Sequence, residues 1–286
     1  MLNVHSLFDS NTNTVTHIAY CSQTRDCVVI DPVLDLDPLN WHTQENSARQ
    51  IVHYVHEHKL NVRGILETHV HADHLTAAPY LKEQLGGQTY IGNQITQVQR
   101  LFKGLFNAEP EFATDGHQFD HLLADGDTFE LGHLTGHVIH TPGHTPACVS
   151  YYIDDAVFVG DTLFMPDYGT ARCDFPGGDA LTLYHSIQKL YTLPDETRMF
   201  LCHDYLPKGR THYRWETTVG QQKAENIHIR PETTAEEFVQ FRTSRDATLS
   251  LPKLIVPSVQ INMRAGEFPP EEENGTRYLK FPLNRL

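Results

Sequence analysis

One seven-residue stretch constrains the fold of this chain more than any other part of its sequence. Residues 68–74 read Thr-His-Val-His-Ala-Asp-His, and they follow the apolar run of residues 64–66. Three imidazoles and one carboxylate within six residues are typical of a metal site. A buried strand that ends at Glu67, followed by a helix that Asp73 and His74 open, would place the ligands at the strand end. The candidate ligands of this motif are His69, His71, Asp73 and His74.

Three more polar residues follow predicted strands later in the chain. His144 lies in a Pro-Gly-His turn, Asp161 follows the strand predicted at 156–159, and His203 follows the strand predicted at 198–201. In open sheets the ends of strands are where ligands collect. Each residue alone is weak evidence, but together and in this order they predict a metal site. A ligand set of imidazoles and carboxylates without cysteine suits zinc, iron or manganese.

The pattern of apolar residues predicts two groups of strands, each followed by helices. Such an order favours an α+β fold in which two sheets pack together and the helices lie outside. Residues 1–205 are predicted to form this core. Residues 206–286 are predicted to form a helical and irregular segment that covers the same domain, with helices at 217–226 and 234–248. The other predicted helices span 44–59, 72–85, 93–106 and 180–193, and the first three strands form an antiparallel meander within 1–31.

Composition excludes some partners and indicates a compartment. The net charge of −14 argues against nucleic acid or an anionic membrane surface as the main partner, because both require a basic face. Five cysteines, an odd number spread along the chain, suit a reducing compartment better than a disulfide framework. No leader pattern or apolar stretch of about 20 residues is present, so we expect a cytoplasmic protein.

The motif at 68–74, taken with His144, Asp161 and His203, resembles the metallo-β-lactamase superfamily. This resemblance implies a four-layer αβ/βα sandwich that holds its metals at the edge of two sheets. It also implies that the ligands come from the seven residues His69, His71, Asp73, His74, His144, Asp161 and His203.

Details around these residues resemble the persulfide dioxygenase branch of that superfamily. The segment 160–164 is followed by Arg-Cys-Asp-Phe at 172–175, and the segments 202–205 and 257–262 are similar to the bacterial β-lactamase hydrolase-like proteins. The resemblance implies one Fe(II) per chain, held by His69, His144 and Asp161. The other four residues would then hydrogen-bond the ligands and water. The implied reaction oxidises glutathione persulfide with O₂ to sulfite, as in sulfide detoxification.

Arg172 is the candidate for holding a glutathione carboxylate. The alternative is a structural ion pair with Asp174 or Asp179, which is a common arrangement for arginine. The segment departs from the family pattern at Ala171 and Cys173, where a glycine and a threonine are usual. The weaker basic candidates are Arg210, Arg214, Arg264 and Lys280.

Two other functions stay open at this point. All seven ligands of a binuclear site are present, so a two-zinc thioesterase of the glyoxalase II type is the main alternative. A non-catalytic metal-binding protein is the third, although such a protein would be expected to lose ligands or to carry an added domain. The sequence does not determine the oligomeric state, and a homodimer is one state that it allows.

Overall fold

The first half of the chain forms an open sheet from a meander and three later strands. The computed structural model describes residues 1–285. Its elements up to residue 123 are β1 (Leu2–Asp9), β2 (Thr14–Cys21), β3 (Asp26–Ile30), β4 (Val33–Asp37), β5 (His42–Gln44), α1 (Asn46–Glu57), β6 (Asn61–Leu66), β7 (Leu75–Thr76), α2 (Ala78–Leu85), β8 (Gln88–Gly92), α3 (Ile95–Leu105) and β9 (His121–Leu123). The first sheet has the order β1-β2-β3-β6-β8-β9. Its first three strands are antiparallel, as the predicted meander requires, and β3, β6, β8 and β9 are parallel.

The second half of the chain forms a second six-stranded sheet and the C-terminal helices. Its elements are β10 (Thr128–Leu131), β11 (Leu134–His140), β12 (Val149–Ile153), β13 (Ala156–Phe158), a 3-10 turn (Gly160–Thr162), α4 (Ala180–Leu190), β14 (Arg198–Phe200), β15 (Glu216–Thr218), α5 (Val219–Glu225), α6 (Ala235–Asp246) and α7 (Ile255–Asn262). The second sheet runs in the order of its strands, from β10 to β15. A small third sheet, β5-β4-β7, lies beside the first.

Apolar packing joins the two large sheets face to face and covers their outer faces with helices. Between the sheets, Ile30 and Leu66 pack in one cluster with Tyr151 and Phe158. On the outer face of the first sheet, α1 and α2 bury their apolar sides against β2, β3 and β6. On the outer face of the second sheet, α4 and α6 do the same. The predicted four-layer αβ/βα sandwich is therefore confirmed.

One predicted helix begins later than expected, and the difference changes the ligand motif. The sequence predicted a helix over 72–85, opened by Asp73 and His74, but α2 begins only at Ala78. Residues 75–76 instead form β7, which pairs with β4. Pro79 then stands in the first turn of the helix, where its missing N–H is not needed. The ligand motif therefore lies in an irregular loop, the ligand loop (residues 67–77).

Short or irregularly patterned elements were missed by the sequence analysis. The hairpin β4–β5 and the strand β9 have too few residues to show a clear period, and α7 lies in a stretch read as lacking periodicity. Helix α7 lacks the alternation of buried and exposed faces that marks a surface helix, because every residue from Pro257 to Asn262 is buried. The predicted helix 217–226 begins two residues late, after the short strand β15.

Two further features of the described residues concern the cysteines and the helices. All five cysteines are buried and free in the described part of the chain. No helix within residues 1–285 is both long and apolar enough to span a bilayer. The division of the chain at residue 205 stays a prediction, and residues after it contribute to the same cores, as Val259 and Met263 do beside Val70.

Candidate metal centre

The seven predicted ligands meet at one edge of the sandwich, each brought there by the end of a strand. His69, His71, Asp73 and His74 lie in the ligand loop after β6. His144 follows β11, Asp161 lies in the 3-10 turn after β13, and His203 follows β14. A Cβ on Gly160 would lie 2.4 Å from the Thr68 hydroxyl oxygen, so only glycine lets this turn approach the ligand loop so closely.

These residues form two neighbouring groups that could each hold an ion. The candidate ligand atoms of His69, His144 and Asp161 all lie within 4.8 Å of one another, and so do those of the second group. The second group consists of His71, Asp73, His74 and His203. Asp161 lies between the groups, because its Oδ2 faces His69 Nε2 at 3.9 Å and His144 Nε2 at 3.7 Å, while its Oδ1 faces His203 Nε2 at 3.3 Å.

The hydrogen bonds of the imidazoles leave the nitrogen atoms that face the centre free. His144 Nδ1 donates to the Arg172 carbonyl at 2.8 Å, and His203 Nδ1 donates to the Asn13 carbonyl at 3.1 Å. His71 Nε2 donates to Asp31 Oδ1 at 3.0 Å, which leaves Nδ1 as its free atom. A fixed hydrogen bond on one ring nitrogen sets the tautomer and presents the other nitrogen to a metal.

Asp31 orients two of the histidines, and the sequence analysis missed it. Its carboxylate accepts from the Thr68 N–H at 2.7 Å and from the Thr68 hydroxyl at 2.9 Å, in addition to His71. The Thr68 oxygen in turn accepts from His69 Nδ1 at 3.0 Å. Asp31 directly follows β3, so the strand-end signal used for Asp161 could have found it.

Five buried atoms at the centre have no hydrogen-bond partner, and all five are suitable metal ligands. They are His69 Nε2, His71 Nδ1, His74 Nε2, Asp161 Oδ1 and His203 Nε2. Buried polar atoms are almost always paired, because an unpaired one costs about 1–3 kcal/mol. That five such atoms lie in these two neighbouring groups indicates that the site is built for a cation. The residues thus fit the metal that the ligand pattern implies.

Burial keeps two of these imidazoles neutral, which is the form that binds metals. It lowers the pKa of His69 well below its ordinary value and the pKa of His74 to about 4. Burial alone would also lower the pKa of His71, but the Asp31 and Glu67 carboxylates outweigh it and raise that pKa well above the ordinary value. Burial raises the pKa of the Asp161 carboxyl.

A cavity of about 1030 Å³ opens onto the centre, with Asp73, His144 and Asp161 in its wall. Its size lies at the upper end of the range of about 300–1,000 Å³ for small-molecule sites. Phe164, Tyr168 and Tyr205 form an aromatic side of the wall with ring centroids 5.0–5.7 Å apart. The basic residues of the wall are Arg172, Arg242, Arg245 and Lys253.

Arg172 lines this cavity, and three of the five N–H donors of its guanidinium are already paired. The guanidinium forms two hydrogen bonds of 2.6 Å with Asp174 and one of 2.6 Å with the Ser250 carbonyl, and it lies over the Phe175 ring. Of the two partners predicted for a structural pair, Asp174 is the one observed, whereas Asp179 caps α4. Its role towards glutathione stays a prediction.

The weaker basic candidates are occupied elsewhere and lie outside the cavity wall. Arg210 pairs with Asp204 and Asp167, and Arg214 lies 3.7 Å from Asp167. Arg264 pairs with Glu109, and Lys280 donates to the Asn107 carbonyl.

Comparisons with known proteins agree with this geometry. A family model described as the metallo-beta-lactamase superfamily matches residues 18–203. The chain is 52% identical to a probable metallo-hydrolase of Burkholderia pseudomallei over 100% of both chains. It is 50% identical to a beta-lactamase hydrolase-like protein of Xylella fastidiosa over 99% of this chain, but spans only 65% of that protein's length.

Two further comparisons concern persulfide dioxygenases. The chain is 30% identical to the mitochondrial persulfide dioxygenase ETHE1 of Bos taurus, over 92% of this chain and 88% of that protein. The crystal structure of ETHE1 from Myxococcus xanthus superposes with a TM-score of 0.73 at 31% identity, covering 93% of this chain and 100% of that chain. The chain belongs to the metallo-beta-lactamase superfamily, in the branch that includes the ETHE1 persulfide dioxygenases.

Proposed function

We propose that this protein is a glutathione persulfide dioxygenase that uses one Fe(II) per chain. The reaction consumes glutathione persulfide, O₂ and water and yields glutathione and sulfite. The observation that carries the proposal is the group of His69, His144 and Asp161, two imidazoles and one carboxylate beside an open cavity. Such a facial set, with positions left open, is the ligand arrangement of non-haem Fe(II) oxygenases. The similarity to ETHE1 persulfide dioxygenases supports the same reaction.

Iron held by these three residues would supply redox chemistry towards O₂ and a binding site for the persulfide sulfur. A zinc ion could not supply the redox chemistry, because it is d¹⁰. The chain's own residues prepare that site. The Arg172 carbonyl fixes the ring of His144, and Thr68 fixes the ring of His69. The Phe175 ring packs edge-on against His144 with centroids 5.1 Å apart, so this side of the ligand is shielded from water.

The basic side of the cavity supports an anionic thiol as the substrate. Arg245 and Lys253 line the cavity, and neither has an acidic partner among residues 1–285. Both residues belong to the C-terminal segment, so this side of the wall carries two cations without a carboxylate partner among the described residues, whereas Arg172 in the same wall is paired with Asp174. Glutathione carries two carboxylates, and its thiol end would then point towards the metal ligands.

A second function rests on a specific observation. His71, Asp73, His74 and His203 form a second group of the same compactness, with three unpartnered nitrogen atoms. A two-zinc thioesterase acting on S-acylglutathione would use the residues of both groups to hold its ions, and they would supply Lewis-acid activation of the thioester and of water. The name of the Burkholderia relative, a probable metallo-hydrolase, is compatible with this alternative.

Metal analysis and two assays on the full-length protein separate these functions. We expect about one iron per chain in protein purified without chelators. We also expect O₂ uptake with glutathione persulfide that disappears in Asp161→Ala and His144→Ala. His53→Ala, which changes an exposed histidine of α1, serves as the control and should retain the activity.

Two zinc ions per chain with thioester hydrolysis and no O₂ uptake would overturn the dioxygenase proposal and favour the hydrolase. Full O₂ uptake in both ligand variants would instead overturn the assignment of His144 and Asp161.

A further inference from the structure

The side chain of Asn262, the last residue of α7, is bound entirely to the ligand loop. Its Nδ2 donates to the His71 carbonyl at 2.9 Å and to the His74 carbonyl at 2.8 Å. Its Oδ1 accepts from the Thr76 N–H at 2.9 Å. Asn262 is 3% exposed, so water does not compete for these bonds.

The ligand loop depends on these bonds because its backbone is irregular and buried. His71, His74 and Thr76 are fully buried, and residues 69–74 of the loop belong to no helix or strand, since only Leu75 and Thr76 form the short strand β7. Buried backbone groups require partners. One amide supplies three of them from an element 186–191 residues later in the chain.

Helix α7 is itself held firmly against the loop. Ile255, Val259 and Met263 pack in one apolar cluster with Val70 and Ala72 of the loop. After the helix, Gly266 has a φ of +91°, and a Cβ there would lie 2.5 Å from Pro79 Cδ at the start of α2. The helix thus approaches the loop and the element that follows it, and provides a rigid support for the Asn262 amide.

We propose that Asn262 is a positioning residue of the metal centre. Its two donated bonds lie on either side of Asp73, so they set the backbone from which His71, Asp73 and His74 project. Among the described residues, every hydrogen bond of the Asn262 side chain is to a backbone atom of the ligand loop, so Asn262 acts through the backbone alone. The role concerns metal binding and holds whether the centre oxidises persulfides or hydrolyses thioesters.

Metal titration of the metal-free, full-length protein tests this role without an activity assay. Asn262→Ala and Asn262→Asp are compared with the unaltered protein by competition with a chromophoric chelator for Zn(II) and Co(II), and by the d–d absorption spectrum of bound Co(II). Asp keeps the acceptor for Thr76 but places an anionic oxygen against two carbonyls. We expect metal affinity to fall about 10–100-fold in both variants, with an altered Co(II) spectrum.

Gln260→Ala is the matched control on the same helix. The Gln260 amide is also buried and also makes three hydrogen bonds, but to Val256 and Lys280, away from the ligand loop. We expect this variant to unfold at a lower temperature than the unaltered protein while keeping its metal affinity and Co(II) spectrum.

Three outcomes would overturn the inference. Either Asn262 variant could bind both metals with unaltered affinity and spectrum, or Gln260→Ala could lose as much affinity as Asn262→Ala. Failure of both Asn262 variants to fold, while Gln260→Ala folds, would make Asn262 a residue required for folding and not a positioning residue.

Discussion

Each histidine at the centre is oriented by the hydrogen bond that its ring nitrogen facing away from the centre makes. His144 and His203 donate to backbone carbonyls, and His71 donates to the Asp31 carboxylate. The same residue type therefore presents Nε2 in two cases and Nδ1 in the third. The hydrogen bond on one ring nitrogen decides which lone pair of the histidine faces the metal. Replacing the residue that accepts this hydrogen bond is therefore expected to weaken metal binding, but less than replacing the histidine itself.

The pairing of Arg172 with Asp174 yields a test at this scale. If Arg172 also holds a glutathione carboxylate, Arg172→Ala should raise KM about 10–100-fold with kcat little changed, because a hydrogen bond to a charged group contributes about 1.5–3 kcal/mol in the ground and transition states alike. Asp174→Ala leaves the guanidinium available to the substrate and should not raise KM. The measurement is steady-state O₂ uptake at varied persulfide concentration. An equal rise in KM in both variants would show that Arg172 acts only through its structural pair.

At the scale of elements, two C-terminal helices support the two sides of the centre. Helix α7 holds the ligand loop through Asn262. Helix α6 holds the segment 170–173, because Arg242 donates to the Thr170 carbonyl and Asp246 accepts from the Cys173 N–H at 2.8 Å. The Arg172 carbonyl within that segment orients His144. The helix begins with a complete capping box between Thr234 and Glu237, so its start is well defined.

The buried ion pair of α6 predicts a large effect on stability. Arg242 and Asp246 are 2% and 4% exposed, and their closest atoms are 2.6 Å apart. Asp246→Asn leaves a buried guanidinium uncompensated and should lower the free energy of unfolding by about 3–5 kcal/mol. Urea unfolding of the metal-free protein measures this.

The pair Glu45–Arg49 on α1 has the same four-residue spacing but is exposed, and it provides the control. Glu45→Gln should change the free energy of unfolding by less than about 1 kcal/mol. Similar small effects of both substitutions would contradict the proposed importance of the buried pair.

For the whole molecule, the two sheets meet around buried side chains that include a histidine. His17 Nε2 of β2 donates to the Leu201 carbonyl just after β14, and the ring of His17 lies against Phe158 and Phe200 of the second sheet. Burial lowers the pKa of His17 to about 4 from the ordinary 6.5. The residue is 2% exposed, so the shift reflects the sandwich core.

This shift predicts that the metal-free protein loses stability in acid. Between about pH 6.5 and pH 4 the unfolded chain binds a proton at His17 that the folded chain does not, so stability is present above pH 6.5 and falls with the pH. The contribution of His17 is on the order of 3 kcal/mol. Urea unfolding at pH 7 and pH 4.5 should show a smaller pH dependence in His17→Gln than in the unaltered protein. Equal pH dependence in the two proteins would contradict this prediction.

The local pattern was enough to predict much of the architecture. The meander at 1–31 and the strands β10 and β12 have alternating or apolar runs with flanking turn residues, and they lie where the sequence placed them, as does the helix α6. Residues 72–77 were predicted as the start of a helix because Ala72, Leu75 and Ala78 repeat at a spacing compatible with a helix. Pairing of β7 with β4, a contact across 41–43 residues, overrides that local preference.

The sequence by itself determined which side chains could bind a metal, since seven ligand-type residues stand at strand ends and sheets gather strand ends at one edge. Only the tertiary structure decided how these side chains are held. Asp31, the Arg172 carbonyl and Asn262 are brought to the ligands across 28–191 residues, and such contacts leave no periodic trace in the sequence. The same holds for Arg172, whose guanidinium is paired with Asp174 and Ser250. Local chemistry chooses the ligands, whereas long-range packing sets their orientation.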